Sequence, residues 1–213
     1  MRFSKTGKAK YISHLDLMAT MRRSLTRAGV RLQYSEGFNP HPYMSVALPL
    51  PIGCGSVCEL MDIGVMGGLQ PDGLADIINA ALPEGLEILE VYLPLRKFNG
   101  ISWIEIDGVL YYDNEPPSDA VERLNERFDA ESIVISKKTK SGVIDIDIVP
   151  HIQGVRFSSN GEITMKAVVS AQNPTINADN LISSLGDGYT ELVPDFSLFT
   201  RVEVFDVNMC AFR

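Results

Sequence analysis

Cysteine is scarce in this sequence of 213 residues, which has only Cys54, Cys58 and Cys210. Three cysteines are too few for a disulfide framework, and their scarcity is typical of a reducing compartment. Long hydrophobic runs are also lacking, since no segment approaches the roughly 20 apolar residues of a transmembrane helix. The first residues show no apolar core of a signal peptide. These absences predict a cytoplasmic protein without membrane contact.

Metal ligands are sparse as well. Cys54 and Cys58 have a Cys-x3-Cys spacing that zinc ligands can use, and His14 and His41 would complete a conceivable set of four. No second cysteine pair supports that set, and cysteine is among the residue types most often buried. The alternative, that both cysteines are structural, is therefore favoured. We predict no metal and no other cofactor.

Charge is distributed unevenly along the chain. Residues 1–60 contain eight Lys or Arg and three acids, a charge of +5, whereas the remaining 153 residues contain eleven and 24, a charge of −13. A basic segment within an acidic chain can concentrate an anionic ligand locally. The alternative is a solvated helix face that happens to be rich in arginine.

The pattern of apolar residues predicts an α+β fold made of two tandem ferredoxin-like (βαββαβ) halves. We predict an N-terminal domain over residues 1–97 and an acidic C-terminal domain over 98–213. A single larger α+β sheet is the alternative. Strands or extended segments are predicted at residues 2–4, 9–13, 30–34, 44–48, 57–63 and 86–92 in the first half, and at 101–106, 109–112, 133–136, 143–148, 154–158, 163–169 and 200–207 in the second. A turn is predicted at residues 140–142.

Helices are predicted after Ser13, between Pro71 and Gly85, and at residues 118–128 and 177–185. Ser13 is a suitable cap for the first helix, with Asp16 three residues later, and Gly29 ends that helix. We expect a buried stripe formed by Leu15, Met18, Leu25 and Ala28. The opposite side would then carry Arg22, Arg23 and Arg27.

Residues 34–42 (YSEGFNPHP) form the most unusual stretch of the chain. It lacks hydrophobic alternation, lies between two predicted strands, and carries aromatic, imidazole and amide groups, as functional loops often do. Turn chemistry at Gly37, Pro40 and Pro42 is the structural alternative. His14 lies in the first turn of a helix, and we predict that it faces the same cleft as His41.

Four motifs in the first half are shared with a known family: residues 5–7 (KTG), 13–17 (SHLDL), 34–42 (YSEGFNPHP) and 47–53 (ALPLPIG). With weaker similarity at residues 137–140, 145–148 and 200–203, the chain resembles the bacterial radical SAM-linked family of unknown function, a DUF2344-type domain. That resemblance implies a radical SAM protein as partner. The iron–sulfur motif of such enzymes needs a third cysteine, but Met61 stands at that position, so the chain resembles the accessory domain alone.

We therefore predict an RNA-binding accessory protein for radical SAM-linked modification or maturation of tRNA or rRNA, with no DNA partner. Two alternatives stay open: a metal-independent RNA-processing or RNA-modifying enzyme that uses His14 and His41 as acid and base, and a scaffold that docks on a radical SAM partner. The predicted RNA-binding residues are Lys5, Lys8, Lys10, Arg22, Arg23, Arg27, Arg31, Tyr34, Phe38, Asn39 and Tyr43. The cleft residues are Ser13, Asp16, Ser35, Glu36, Gly37, Pro40 and Pro42.

Overall fold

The computed structural model describes residues 1–67, 70–139, 142–186 and 188–213. Within them the protein is α+β, with four α-helices and mostly antiparallel pairing, as predicted. The chain divides into two compact units, residues 1–99 together with Arg213, and residues 100–212. Residues 140 and 141, which belong to the turn predicted at 140–142 and, for residue 140, to the motif at 137–140, lie outside the described residues.

The first unit has the order strand, helix, strand, strand, helix, strand. The strands of its sheet lie side by side in the order β4-β1-β3-β2, and each neighbouring pair is antiparallel. The elements are β1 (Arg2–Lys5), α1 (His14–Arg27), β2 (Met44–Val46), β3 (Gly55–Ile63), α2 (Leu74–Asn79) and β4 (Leu86–Glu90).

The second unit contains a sheet of four antiparallel strands in the order β10-β5-β9-β8. A separate hairpin of two strands, β6 and β7, is inserted between the first helix of this unit and β8. The elements are β5 (Trp103–Tyr111), α3 (Ala120–Phe128), β6 (Val134–Thr139), β7 (Gly142–Asp147), β8 (Ile152–Ser159), β9 (Ile163–Ser170), α4 (Ala178–Ser183) and β10 (Phe196–Phe205).

Helix α1 begins as predicted, because the Ser13 hydroxyl accepts a hydrogen bond from the Asp16 N–H at 3.1 Å and donates one to the Asp16 carboxylate at 2.7 Å. The predicted stripe is partly wrong. Leu17, Met21 and Leu25 are buried at intervals of four, and they define the inner face. Leu15 is 78 % exposed, since two residues, or about 200° of rotation, separate it from Leu17.

The strands predicted at residues 101–106 and 109–112 are one continuous strand, β5. Gly108, one of the two residues left between the predicted strands, pairs with Phe199 on β10 and Met165 on β9. A Cβ at Gly108 would lie 2.8 Å from Cε1 of Phe199. The glycine therefore makes room for an aromatic ring that packs against the strand, and it does not end the strand.

A lysine and a glutamate are buried in the first unit. Lys5 on β1 is 2 % exposed and Glu59 on β3 is 1 % exposed. The Nζ atom of Lys5 donates to the carbonyl of Lys10 at 3.1 Å. Burial lowers the pKa of Lys5, and the attraction of Glu59 opposes that change. Each charge thus offsets part of the desolvation cost of the other.

We predict that Lys5→Met destabilises the protein by about 3–5 kcal/mol, because the buried Glu59 carboxylate loses the attraction of the Lys5 ammonium. Adding Glu59→Gln to this variant should recover part of the loss, since the amide carries no charge to desolvate. Urea denaturation followed by circular dichroism measures both. Lys8→Met is the matched control, because Lys8 is exposed, and an equal loss in that variant would contradict the prediction.

Candidate functional site

The two ends of the loop of residues 35–42 lie side by side in the first unit and are joined by hydrogen bonds. Tyr34 and Pro42 form an antiparallel bridge. The N–H of Ser35 donates to the carbonyl of His41 at 2.9 Å, and the N–H of Tyr43 donates to the carbonyl of Gln33 at 2.9 Å. These bonds fix the two ends of the loop side by side and leave its tip in solvent.

Gly64, just after β3, joins the base of this loop to the sheet. Its N–H donates to the carbonyl of Tyr43 at 2.7 Å, and its carbonyl accepts from the N–H of Gln33 at 2.8 Å. A Cβ at Gly64 would lie 3.0 Å from Cβ of Tyr43 and 3.3 Å from Cβ of Gln33. The three backbone segments can approach this closely only because residue 64 has no side chain. We call these bonds the loop anchor.

His41 is exposed and held in one orientation by the loop. Its Nδ1 lies 3.1 Å from the carbonyl of Asn39 and 3.3 Å from the hydroxyl of Ser35, which also accepts from the N–H of His41 at 3.1 Å. A carbonyl can only accept, so the contact with Asn39 assigns the proton to Nδ1. In the neutral ring Nε2 is then an acceptor that is available to a ligand.

The tip of the loop consists of exposed residues: Glu36, Gly37, Phe38, Asn39 and Pro40. The Phe38 side chain is fully exposed, so it contributes nothing to the core and is available for stacking. Gly37 has φ of +115°, a conformation that favours glycine. Turn chemistry thus accounts for Gly37 but not for the exposed ring beside it.

Three of the predicted arginines lie on α1 and line a surface groove of about 380 Å³ together with Thr26 and Tyr34. They are Arg22, Arg23 and Arg27. Arg22 and Arg23 are exposed, and their side chains form no hydrogen bond or ion pair with any residue that the structure describes. The guanidinium of Arg27 instead donates to the Ser24 hydroxyl at 3.0 Å and the Ala81 carbonyl at 2.6 Å. Two free cations therefore lie beside an aromatic ring. We call this surface the arginine groove.

The other predicted cations are placed elsewhere. Lys5 is buried, so its side chain does not reach a surface ligand, and the prediction that it binds RNA is wrong in this structure. Lys8 is exposed, whereas Lys10 is half-buried and its Nζ lies 5.1 Å from the centre of the Tyr11 ring. The Arg31 guanidinium lies against the backbone of Gly67 and does not line the arginine groove.

A second concavity, of about 500 Å³, lies at the base of the loop. Its walls are mostly apolar, and its polar lining residues include His41, Asp62 and Tyr92. Sequence reasoning missed Asp62 and Tyr92, because each stands alone near the end of a strand pattern. Exposed Tyr43 also lines this space. We call it the loop cavity.

Two titratable groups of the loop cavity are perturbed by their surroundings. Burial raises the pKa of the Asp62 carboxyl and raises that of the Tyr92 phenol, to which the nearby Glu90 also contributes. Perturbed groups in a concave site are a common property of binding sites. Both groups are half-buried, so a ligand in the cavity would reach them.

His14 is exposed at the first turn of α1 and is not among the described residues that line the loop cavity with His41. The structure therefore does not bring the two histidines together in that cavity, as the catalytic alternative requires. Ser13 and Asp16 are occupied in capping α1. Over the described ranges, no three His, Cys, Asp or Glu side chains are grouped as metal ligands. Cys54 is half-buried and Cys58 is buried.

These features define an α+β protein with a basic groove and an apolar cavity that both include residues at the base of one anchored loop. A family model described as an uncharacterized protein conserved in bacteria (DUF2344) matches residues 1–178, and the chain belongs to that family. No curated protein matches the chain. In the described part of the chain, no helix is long and apolar enough to span a membrane.

We predict that Gly64→Ala displaces the base of the loop and destabilises the first unit by about 1–3 kcal/mol, as overpacking does elsewhere. Thermal denaturation measures the loss, and hydrogen exchange at Gln33 and Tyr43 should accelerate. Gly154→Ala is the control, because a Cβ at Gly154 meets nothing within 4 Å. Equal effects of the two substitutions would show that the loop anchor has no special role.

Proposed function

We propose that this protein is an RNA-binding accessory protein for the radical SAM-linked modification or maturation of tRNA or rRNA. The observation that carries the proposal is the arginine groove, where Arg22 and Arg23 lie unpaired beside Tyr34. Unpaired guanidinium groups bind phosphates and release their counterions. An adjacent aromatic ring offers a stacking surface for an unpaired base.

The charge distribution supports an anionic partner for the first unit. The charge of +5 belongs to residues 1–60, which include both arginines, while the remainder of the chain is acidic. Fully exposed Phe38 and exposed Tyr43 add aromatic surface near the same loop. Stacking and phosphate contacts together are typical of proteins that bind single-stranded RNA. The radical SAM partner rests on the resemblance of the sequence motifs.

The proposal includes a ferredoxin-like fold for each unit. In the first unit the strands stand in the order β4-β1-β3-β2. In the second, β5, β8, β9 and β10 are the first to fourth strands of the sheet in chain order, and they stand in the corresponding order β10-β5-β9-β8. The hairpin β6-β7 is then an insertion after α3. This common order supports two tandem βαββαβ units.

We predict that Arg22→Ala with Arg23→Ala weakens RNA binding and changes the free energy of unfolding by less than about 1 kcal/mol, since both side chains are exposed. Losing two phosphate contacts should flatten the slope of log affinity against log salt by about 1.4 for single-stranded RNA. The measurement is fluorescence anisotropy of a labelled 20-nucleotide oligouridylate, and of unfractionated bacterial tRNA, over a range of KCl concentrations.

Arg156→Ala with Lys166→Ala is the matched control. These two residues face each other on β8 and β9, are exposed, and their replacement changes the net charge by the same amount. The control should keep the affinity and nearly all of the salt slope. An equal effect of both double variants would overturn the groove as the RNA site, and the absence of any RNA binding would favour the scaffold alternative.

A further inference from the structure

Three polar groups that line the loop cavity have binding capacity that the protein does not use. Within the described portion of the chain, the Asp62 carboxylate accepts no hydrogen bond, and the Tyr92 hydroxyl neither donates nor accepts one. Nε2 of His41 is similarly available, because the ring bonds through Nδ1. A mostly apolar cavity with a few placed polar groups is the usual form of a small-ligand site.

The carboxylate determines which ligands suit the cavity. Ionised Asp62 can only accept hydrogen bonds, through two oxygens about 2.2 Å apart in any carboxylate. Its half-buried position penalises the charge and raises the pKa of the carboxyl, and the N-terminal ammonium of Met1, which also lines the cavity, offsets part of this penalty. A ligand with two adjacent N–H donors would reduce that penalty by bonding both oxygens. The apolar walls, including Pro42, Val65 and Leu93, suit the faces of a flat ring.

The cavity is next to the proposed path of the RNA. Tyr34 lines the arginine groove and Pro42 lines the loop cavity, and these two residues are bridge partners at the base of the loop. Bridge partners in antiparallel pairs have Cα atoms about 4.5–5.5 Å apart. The groove for phosphates and the cavity therefore meet at the base of the loop.

We infer that the loop cavity receives an unpaired guanine base, with Asp62 accepting from N1–H and the N2 amine and Tyr92 donating to an acceptor of the base. Guanine alone among the four bases places two donors side by side on its Watson–Crick edge. Adenine, cytosine and uracil place an acceptor beside the donor, which a carboxylate oxygen repels. This inference rests on the proposed RNA-binding function for the source of the base.

The test uses the whole chain and fluorescein-labelled nonaribonucleotides U4-X-U4, in which X is guanosine, inosine, adenosine, cytidine or uridine. Inosine differs from guanosine only by lacking the 2-amino group. We expect guanosine to bind about tenfold tighter than inosine, since one hydrogen bond to a charged acceptor is lost. The preference is measured on the unaltered protein, so it does not depend on whether a variant folds.

Asp62→Asn should remove the preference for guanosine over inosine, because the amide replaces one acceptor with a donor. Asp72→Asn is the control with the same change of charge, since Asp72 is exposed and does not line the cavity. It should keep the preference. Equal affinity of the unaltered protein for all five oligonucleotides would overturn the inference while leaving the proposed RNA binding intact.

Guanosine and inosine monophosphates, tested by calorimetry, distinguish the two sources of the base. If the free nucleotides show a guanosine preference that depends on Asp62 while no RNA binds, the result supports the guanine site and overturns the proposed function. A preference seen in the oligonucleotides and weakened by Arg22→Ala with Arg23→Ala supports both. Binding of neither probe contradicts both.

Discussion

The loop anchor is the constraint on which both candidate surfaces depend. Gly64, Tyr43 and Gln33 exchange backbone hydrogen bonds of 2.7–2.9 Å around a position where a Cβ would be tightly crowded. Because this contact fixes both ends of the loop against the sheet, Tyr34 can face the arginine groove while His41 faces the loop cavity. An unanchored loop of this length would lose much more conformational entropy when a ligand ordered it.

Buried and exposed charged residues in the first unit differ in whether a ligand can reach them. Lys5 and Glu59 are buried close together, where each offsets the desolvation of the other and neither is presented to a ligand. Arg22 and Arg23 are solvated and unpaired, so their field extends over the surface of α1. A count of basic residues in the sequence adds these cations together, although only the exposed ones can attract a phosphate.

Features that depend on residues close together in the sequence could be predicted from the sequence. The Ser13 cap and the segment containing the loop depend on neighbouring residues, and the cap is confirmed. Properties that depend on distant partners could not be obtained in this way. Lys5 is buried because β3 lies beside β1, and Gly108 lies within a strand because Phe199 packs over it. Asp62 and Tyr92 share a cavity although 30 positions separate them along the chain.

The arginine groove and the loop cavity act on a ligand over different distances, so their contributions to binding complement each other. Charge in the groove acts over about 8–10 Å at physiological ionic strength and is indifferent to base sequence. The cavity acts only on contact, through a carboxylate that is costly to desolvate without matching donors. A strand attracted by the groove would be held without discrimination until one of its bases satisfied Asp62. Because the loop anchor fixes both surfaces to one loop base, the proposed RNA ligand would meet the weak, general attraction and the specific contact along the same strand.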